Sequence, residues 1–428
     1  MKKIINPDPN KWNKLTQRGS ASYSTLEPLA KKIFNSVKKN GDEAVLKYTL
    51  KFDKIQVENL RISDEEIFQA INNVPNDLKE SIKIAKNNIK LFHEAQVTKP
   101  VNVQINSGIS CWQKKLPIEK VGLYIPGGSA PLFSTILMLA IPAKIANCSE
   151  IILCSPPDIY DKLSDVILYT ANLCGVDKIF KVGGIQAIAA MTFGTQSIPK
   201  VDKIFGPGNQ YVTTAKQLST KYKVAIDMPA GPSELMVVAD KTGSPDFIAS
   251  DLLSQAEHGP DSQVILVSNE IELINSTYKE LYEQHEKLLR KSTIKKALNN
   301  SKMIYFKKDK DMLDFVNLYA PEHLLVILND ETNFVNKIKH AGSVFIGNYT
   351  PESAGDYASG TNHTLPTNGY AKQYSGVNLD SFLKAITYQK ITPEGLKKIG
   401  PVIQSMANAE GLEAHKNAVS IRLKKLNS

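Results

Sequence analysis

The sequence predicts an α/β protein in which parallel β-sheets are covered by helices. Short β-rich runs, such as VGLYIP at residues 121–126, alternate with helical stretches through the middle of the chain, and several of the runs end in glycine-rich turns. A strand, a crossover helix and a second strand at this spacing are typical of a parallel sheet. The length of 428 residues allows two or three domains.

Two α/β series follow one another along the chain. In the first, strands are predicted at 121–126, 151–157, 178–184, 203–209 and 224–229, with helices at 132–146, 162–173, 185–193 and 210–218 between them. In the second, strands are predicted at 235–240, 263–268, 303–308, 323–328 and 343–348, with a long helix at 271–290. The ends of the chain differ, since residues 24–40, 77–95 and 396–425 have helical patterns.

Composition excludes several classes of function. The formal net charge is +9, but basic and acidic residues are interspersed and only four of the basic residues are arginine, so no nucleic-acid partner is predicted. Four cysteines without a CxxC pair indicate a reducing compartment rather than a disulfide framework. The longest apolar run is interrupted by prolines, and no signal peptide is recognisable. We therefore expect a soluble, cytoplasmic protein with no membrane partner.

Glycine-rich turns follow several of the predicted strands. They are YIPGGSAP (124–131), VGGIQA (182–187), FGPGNQY (205–211) and DMPAGPSE (227–234). Ligands of open α/β sheets bind at the carboxyl ends of strands, where glycine lets the backbone approach a ligand and a helix N-terminus suits phosphate. Each turn is also an ordinary tight connection between a strand and a helix, so nucleotide binding and a structural role both remain open at this point.

Two pairs of polar residues are candidates for chemistry. Gln255 and His258 lie three residues apart at the predicted end of a helix, so they project from one face as a pair of metal ligands or as a surface detail. Glu322 and His323 directly precede an apolar strand. They could serve as two separate proton-transfer groups or form a solvated loop pair.

Two further segments carry polar side chains in unusual contexts. The long polar loop predicted at 348–367 contains Asp356 and His363, and such loops inside compact chains are often functional. Glu410 and His415 lie on a predicted C-terminal helix. A site built from glutamine, histidine and aspartate without sulfur suits a catalytic Zn²⁺, whereas a structural zinc would use cysteines.

The chain resembles the histidinol dehydrogenases over essentially its whole length. IDMPAGPSE followed by DLLSQAEHGPDSQV is similar to that family's signature, and VGLYIPGGSAPLFSTILMLAIPA, GGIQAIAA, GPGNQYVTTAK, APEHL, AGDYASGTNHTLPT and EGLEAHKNAV match in the family's order. The resemblance implies the last step of histidine biosynthesis, a two-step NAD-dependent oxidation of L-histidinol through L-histidinal to L-histidine. It implies two NAD⁺ per turnover, because two hydrides leave one carbon.

The resemblance also implies a domain organisation. It predicts two Rossmann-like, doubly wound domains with small helical N- and C-terminal segments. The expected parts are an N-terminal segment (1–24), a first domain (25–123 with 234–380), an inserted second domain (124–233) and a C-terminal helical tail (381–428). The tail is expected to reach the partner subunit of a homodimer with shared active sites.

Residue roles follow from the same resemblance. One Zn²⁺ per subunit would be held by Gln255, His258, Asp356 and His415. Glu322 and His323 would be the catalytic acid–base groups, with His323 as the base of the first oxidation and Glu322 activating water for the second. The substrate would be contacted by Ser233, Gln255, His258, His323, Asp356, His363, Glu410 and His415. The NAD site would include Tyr124, Gln186 and Asn209.

Two other functions are compatible with parts of the sequence. One is a thiol-based aldehyde dehydrogenase with Cys148 or Cys154 as nucleophile, although apolar surroundings without a nearby histidine favour inert thiols. The other is a nucleotide-binding module without catalysis, which would leave the Glu322–His323 pair and the Gln255–His258 pair unexplained.

Overall fold

The computed structural model describes residues 1–18, 23–127 and 131–428. Residues 19–22 of the predicted N-terminal segment and residues 128–130 of the predicted turn YIPGGSAP lie outside the described residues. The chain divides into two compact units. The first contains residues 1–96 and 118–382, and the second contains residues 97–117 and 383–428.

Strands and helices alternate along most of the chain. The fourteen strands of the described residues are β1 (Lys2–Ile5), β2 (Val101–Asn106), β3 (Ile109–Pro117), β4 (Lys120–Tyr124), β5 (Glu150–Ser155), β6 (Lys178–Lys181), β7 (Lys203–Phe205), β8 (Ala225–Ile226), β9 (Glu234–Ala239), β10 (Gln263–Ser268), β11 (Lys302–Tyr305), β12 (His323–Ile327), β13 (Ser343–Ile346) and β14 (Leu383–Ile391). The α-helices of the same residues are α1 (Trp12–Leu15), α2 (Tyr23–Asn40), α3 (Asp42–Phe52), α4 (Asp64–Asn73), α5 (Asn76–Glu94), α6 (Phe133–Ile145), α7 (Asp165–Leu173), α8 (Gly184–Phe193), α9 (Gln210–Ser219), α10 (Pro245–Ala256), α11 (Ile271–His285), α12 (Lys291–Asn299), α13 (Asp309–Tyr319), α14 (Glu331–Val335), α15 (Glu352–Tyr357), α16 (Pro393–Ala409) and α17 (Glu413–Asn427). Within the described chain, none of these helices has both the length and the apolar character needed to cross a membrane.

The first predicted series forms a five-stranded parallel sheet in the order β6-β5-β4-β7-β8. The chain adds strands on one side of β4 and then, from β7, on the other side, which is the doubly wound arrangement. The central strands are buried apolar runs, such as EIILCS in β5, as expected for parallel strands covered on both faces. Helices α6 and α8 are buried along almost their whole length, since each packs against the sheet and against further helices.

The second predicted series forms a six-stranded parallel sheet in the order β1-β11-β10-β9-β12-β13. Its order repeats that of the first sheet, because β10 and β11 lie on one side of β9 while β12 and β13 lie on the other. Strand β1, from the predicted N-terminal segment, pairs with β11 and adds an edge strand. The predicted fold class, two doubly wound Rossmann-like sheets, is confirmed.

The N-terminal helices α2 to α5 cover the five-stranded sheet, which differs from the predicted domain boundaries. Helix α2 packs on α8 and α9, and Phe34 of α2 shares a buried core cluster with Ile188 of α8. Residues 25–95 were assigned to the other domain, and the predicted boundary at residues 123 and 124 falls inside β4. The sequence could not decide this, because an amphipathic helix shows that it covers a sheet but not which one.

The second unit is a three-stranded antiparallel sheet followed by two helices. Strand β3 pairs with both β2 and β14, and α16 packs on α17. The predicted helical tail at 381–428 was therefore wrong for residues 383–391, which alternate in side-chain character and form β14. The single helix predicted at 396–425 is also interrupted, since Gly411 has a φ of 70° and separates α16 from α17.

The two parallel sheets present opposite ends to one cavity of the first unit. Ser233 and Glu322 precede β9 and β12, at the amino ends of the six-stranded sheet, whereas Pro126 and Pro207 follow β4 and β7, at the carboxyl ends of the other. The expectation of ligands at carboxyl ends thus applies to one sheet only. The reason is that DMPAGPSE (227–234) leads from the end of β8 directly to the start of β9.

Candidate functional site

The cavity at the junction of the sheets has a volume of about 440 Å³. From the sequence-predicted set it is lined by Ser233, Gln255, His258, Glu322, His323, Asp356, His363 and Asn209. Three of the four polar segments singled out in the sequence, those of Gln255 and His258, of Glu322 and His323, and of Asp356 and His363, therefore meet at one cavity.

Glu322 and His323 are placed by the turn between α13 and β12. Ala320 ends α13 in the left-handed conformation, with φ of 54°, and so reverses the chain into the strand. His323 is the first residue of β12 and pairs with Leu235 of β9 and Ser343 of β13. The side chains of Glu322 and His323 are both buried, so the solvated loop pair considered from the sequence is excluded.

The peptide groups of Glu234 hold both of these side chains. Its N–H donates to Glu322 Oε2 at 2.7 Å, and its carbonyl oxygen lies 3.0 Å from Nδ1 of His323. A hydrogen on Nδ1 would donate to this carbonyl and leave Nε2 as the basic nitrogen. Nε2 is buried, has no hydrogen-bond partner, and lies 3.6 Å from Asp356 Oδ1. Burial acts to lower the pKa of His323, but Glu322 and Asp356 raise it well above its usual value.

A buried ion pair fixes Glu234 itself. Arg18 donates from Nε to Oε1 at 3.0 Å and from Nη2 to Oε2 at 2.9 Å, and the Glu234 side chain is 1% exposed. The guanidinium also lies 3.7 Å from the ring centroid of Tyr319 and donates to its carbonyl oxygen. A bidentate pair with these extra contacts is rigid, so the start of β9 has one position relative to α13.

Three side chains, two of which line the cavity, bring possible metal-ligating atoms together. One such atom from each of His258, Glu352 and Asp356 lies within 4.8 Å of the others, and His258 Nε2 is 3.7 Å from Asp356 Oδ2. Burial and neighbouring Asp356 raise the pKa of Glu352 to about 8. The donors are nitrogen and oxygen without sulfur, and the partnerless His323 Nε2 faces the same group. This set fits the predicted Zn²⁺.

Gln255 lies in the last turn of α10 beside this group. In the amide orientation that satisfies both neighbours, its Nε2 donates to Glu352 Oε1 and its Oε1 accepts from the N–H of Glu234 at 3.2 Å. Asp356 belongs to the short helix α15, whereas the sequence predicted an uninterrupted loop at 348–367. That helix begins one turn before Asp356 with Glu352, which the sequence analysis did not single out.

His363 borders the cavity on the side of α6. Its Nε2 is 3.1 Å from Oγ1 of Thr135, and its Nδ1 is 2.8 Å from the carbonyl oxygen of Asp356. Burial lowers the pKa of His363, which favours the neutral ring that can accept a hydrogen bond.

Glu410 and His415 belong to the second unit. Glu410 lies at the C-terminal end of α16 and His415 in the first turn of α17, and both are exposed. The predicted metal ligands and substrate contacts are therefore divided between the two units. Gln255, His258 and Asp356 lie together in the first, and His415 lies in the second.

A second cavity of about 860 Å³ lies at the carboxyl ends of the five-stranded sheet. All three predicted NAD residues, Tyr124, Gln186 and Asn209, line it. The Tyr124 hydroxyl accepts from the N–H of Gly184, and Gln186 donates to Asp53 Oδ2 at 3.2 Å. Pro126, Asn209 and Tyr211 line both cavities. The two cavities therefore adjoin at these three residues.

The cysteines do not support a thiol nucleophile. Cys148 and Cys154 are buried and line neither of these cavities. Burial raises the pKa of the Cys148 thiol to about 11 and that of the Cys154 thiol further. Both thiols are therefore protonated and unreactive near neutral pH.

Comparison with known proteins identifies relatives over the whole chain. A family model described as histidinol dehydrogenase matches residues 16–423. A histidinol dehydrogenase of Bacteroides fragilis is 54% identical over 426 residues, covering 100% of both chains. That of Escherichia coli K12 is 51% identical over 396 residues, 92% of this chain and 90% of the relative.

Solved structures show the same similarity. The crystal structure of histidinol dehydrogenase from Elizabethkingia anophelis matches with a TM-score of 0.97 and 52% identity, over 100% of this chain and 99% of that one. An acetylating aldehyde dehydrogenase from Geobacillus thermoglucosidasius matches with a TM-score of 0.50 and 11% identity, over 89% and 93% of the two chains. The second match shows a related fold alone.

The ion pair at the start of β9 predicts a large effect of Arg18 on stability. In Arg18→Ala the buried carboxylate of Glu234 loses its compensating charge, and we expect the free energy of unfolding to fall by about 3–5 kcal/mol. Urea unfolding followed by circular dichroism measures this change. Arg422→Ala, which removes an exposed arginine, is the matched control and should change the free energy by less than about 0.5 kcal/mol. Equal stability of Arg18→Ala and wild type would show that the pair is not needed.

Proposed function

The chain belongs to the histidinol dehydrogenase family, and we propose that the cavity beside Glu322 and His323 is the site where it performs this NAD-dependent oxidation of L-histidinol to L-histidine. The observation that carries the proposal is the arrangement around Glu234. It holds a carboxylate and an imidazole side by side, next to a cluster of metal-ligating groups. The oxidation of an alcohol and the oxidation of an aldehyde hydrate each require a proton to be removed, and the pair provides a group for each of these transfers.

We propose that Gln255, His258 and Asp356 hold one Zn²⁺ per subunit, together with the partner subunit's His415. When bound, the metal ion would orient the imidazole and amine of the substrate. Ser233 and His363 line the same cavity and would contact the substrate. The partner subunit's Glu410 would contact it as well. The substrate carbon that reacts would then lie near His323.

His323 acts as the base of the first oxidation in this proposal. The carbonyl of Glu234 holds Nδ1, so Nε2 is the nitrogen that would take the alcohol proton when the ring is neutral. Bound NAD⁺ would accept a hydride from the substrate carbon in each of the two oxidations. Tyr124, Gln186 and Asn209 would line its site, because the larger cavity adjoins the catalytic one.

Glu322 serves the second oxidation. The aldehyde must gain water before a second hydride can leave, and a carboxylate next to the reacting carbon can remove the water proton. The N–H of Glu234 binds one carboxylate oxygen of Glu322, which fixes its direction. Retention of the aldehyde between the two steps would prevent loss of a reactive intermediate.

We further propose a homodimer with shared sites. Glu410 and His415 are the two predicted site residues that lie in the second unit, and both are exposed there. An exposed glutamate at the end of α16 and an exposed histidine in α17 are suited to complete a site in another copy of the chain. We also propose that the protein is cytoplasmic.

Removal of His258 tests the metal site. We expect His258→Asn to reduce bound zinc by about tenfold or more, since a ligating histidine is lost, and dehydrogenase activity to fall with it. His340→Asn, outside the cavity, should keep both zinc and activity. Elemental analysis of dialysed protein measures the metal content, and chelation of the wild type followed by addition of Zn²⁺ measures the return of activity. Full activity in a preparation verified to be metal-free would refute the metal role.

Replacement of Glu322 should separate the two oxidations. The wild type should release two NADH per histidinol, one for each hydride. In Glu322→Gln the first NADH should form at a rate close to that of the wild type, while the second slows by about a hundredfold because no carboxylate activates the water. Rapid-mixing absorbance at the NADH band resolves the two phases. Equal slowing of both phases would assign Glu322 no separate role.

Co-expression of two inactive variants tests the shared site. If sites are shared, a dimer of one His323→Ala chain and one His415→Ala chain has one site with both lesions and one with neither. Random pairing makes about half of the dimers mixed, so activity should recover to about a quarter of the wild type. A purified mixed dimer no more active than either parent would rule out shared sites.

A further inference from the structure

Glu352 is buried beside the proposed metal ligands Gln255 and Asp356, yet the proposed reaction does not use it. Its side chain is 1% exposed, and it begins α15 one turn before the proposed metal ligand Asp356. We propose that Glu352 is a positioning residue of the metal site, which holds the amide of Gln255 so that its oxygen, and not its nitrogen, faces the metal. This inference rests on the proposed function, in which Gln255 is a metal ligand.

The contacts of Gln255 support this role. The two ends of a glutamine amide are nearly equal in size, so hydrogen bonds decide which end lies where. Here the amide nitrogen donates to Oε1 of Glu352, and the other end meets the N–H of Glu234, which can only donate. Only one orientation satisfies both. A carbonyl oxygen has two lone pairs, so the one that accepts from Glu234 still offers the second to a metal.

Helix α10 holds Glu352 in place. Ser254 donates from Oγ to Glu352 Oε2 at 2.7 Å, and the N–H of Glu352 donates to Asp251 Oδ1 at 3.2 Å. These two residues lie on the same helix as Gln255. Glu352 therefore ties the end of α10, which carries one proposed ligand, to the start of α15, which carries another.

Direct coordination by Glu352 is the competing arrangement, because a donor atom of its carboxylate lies within 4.8 Å of those of His258 and Asp356. The directions of the two carboxylates favour the positioning role. Hydrogen bonds from Gln255 and Ser254 direct the two oxygens of Glu352 towards helix α10. Asp356, by contrast, directs its two oxygens towards His323 and His258, at the metal-ligand cluster.

The experiment compares the wild-type protein with Glu352 variants in their affinity for Zn²⁺ alone, which is measured by competition with a chromophoric chelator. Glu352→Gln can still accept from Gln255 through its oxygen and donate to Ser254, so its affinity should stay within about threefold of the wild type. Glu352→Ala loses the hydrogen bond, and its affinity should fall by about 10–100-fold. Glu352→Leu, which fills the space but accepts no hydrogen bond, replaces the alanine variant if that does not fold.

A double-mutant cycle adds a test that a general loss of stability would not pass. If Glu352 acts through Gln255, the double variant Gln255→Ala/Glu352→Ala should bind Zn²⁺ as weakly as Gln255→Ala alone, and no more weakly. The visible absorption of the Co²⁺-loaded protein should change in Glu352→Ala and remain unchanged in Glu352→Gln, since it reports the ligand geometry.

The outcomes distinguish this inference from the proposed function. Equal losses of affinity in Glu352→Gln and Glu352→Ala, additive with the loss in Gln255→Ala, would overturn the positioning role and indicate direct coordination, with the metal site intact. Unchanged affinity in Glu352→Ala would overturn it as well. A wild type that binds no Zn²⁺, or a Gln255→Ala variant that binds it normally, would refute the proposed metal site and this inference with it.

Discussion

The position of the Glu234 backbone is the constraint on which the rest of the site depends. Its N–H serves the carboxylate of Glu322 and the amide of Gln255, and its carbonyl serves the imidazole of His323. The backbone N–H and carbonyl of Glu234 can contact all three side chains only if this residue, the first of β9, has a fixed position. The bidentate ion pair with Arg18 and the parallel pairing with β10 and β12 provide that position. The geometries proposed for catalysis and for metal binding therefore depend on the same few backbone atoms.

The two sheets contribute different functions because they expose different ends. At the carboxyl ends of the five-stranded sheet, glycine-rich turns and helix N-termini leave room for a dinucleotide. At the amino ends of the six-stranded sheet, short connections before β9 and β12 carry acidic and imidazole side chains with little freedom to move. Residues such as Asn209 border both regions. The proposed cofactor and substrate sites therefore adjoin, although they belong to opposite ends of two different sheets.

The sequence predicted what depends on local pattern and not what depends on distant pairing. The parallel strands were recognised because buried strands are continuous apolar runs that end in glycine turns, and the pairs Gln255–His258 and Glu322–His323 are local. The pattern does not show at which end of the sheet these pairs lie. Nor does it show that β3 pairs with β14, because the two strands are hundreds of residues apart in the chain. Arg18 and Glu352 were missed for the same reason. Each looks like an ordinary charged residue until the fold places it against Glu234 or Gln255.

The charges of the cavity explain why a cation and a buried acidic cluster belong together. Glu234 is compensated by Arg18, but Glu322, Glu352 and Asp356 are also buried, and the basic side chains that adjoin them in the described chain are histidines. Burial of several carboxylates is costly unless a positive charge lies among them. A divalent ion or a substrate that carries an ammonium group would supply this charge and would thereby stabilise the folded state on binding. On the proposed function, the same acidic cluster would favour the positively charged amino alcohol over neutral alcohols of similar size, because only the former brings a compensating charge.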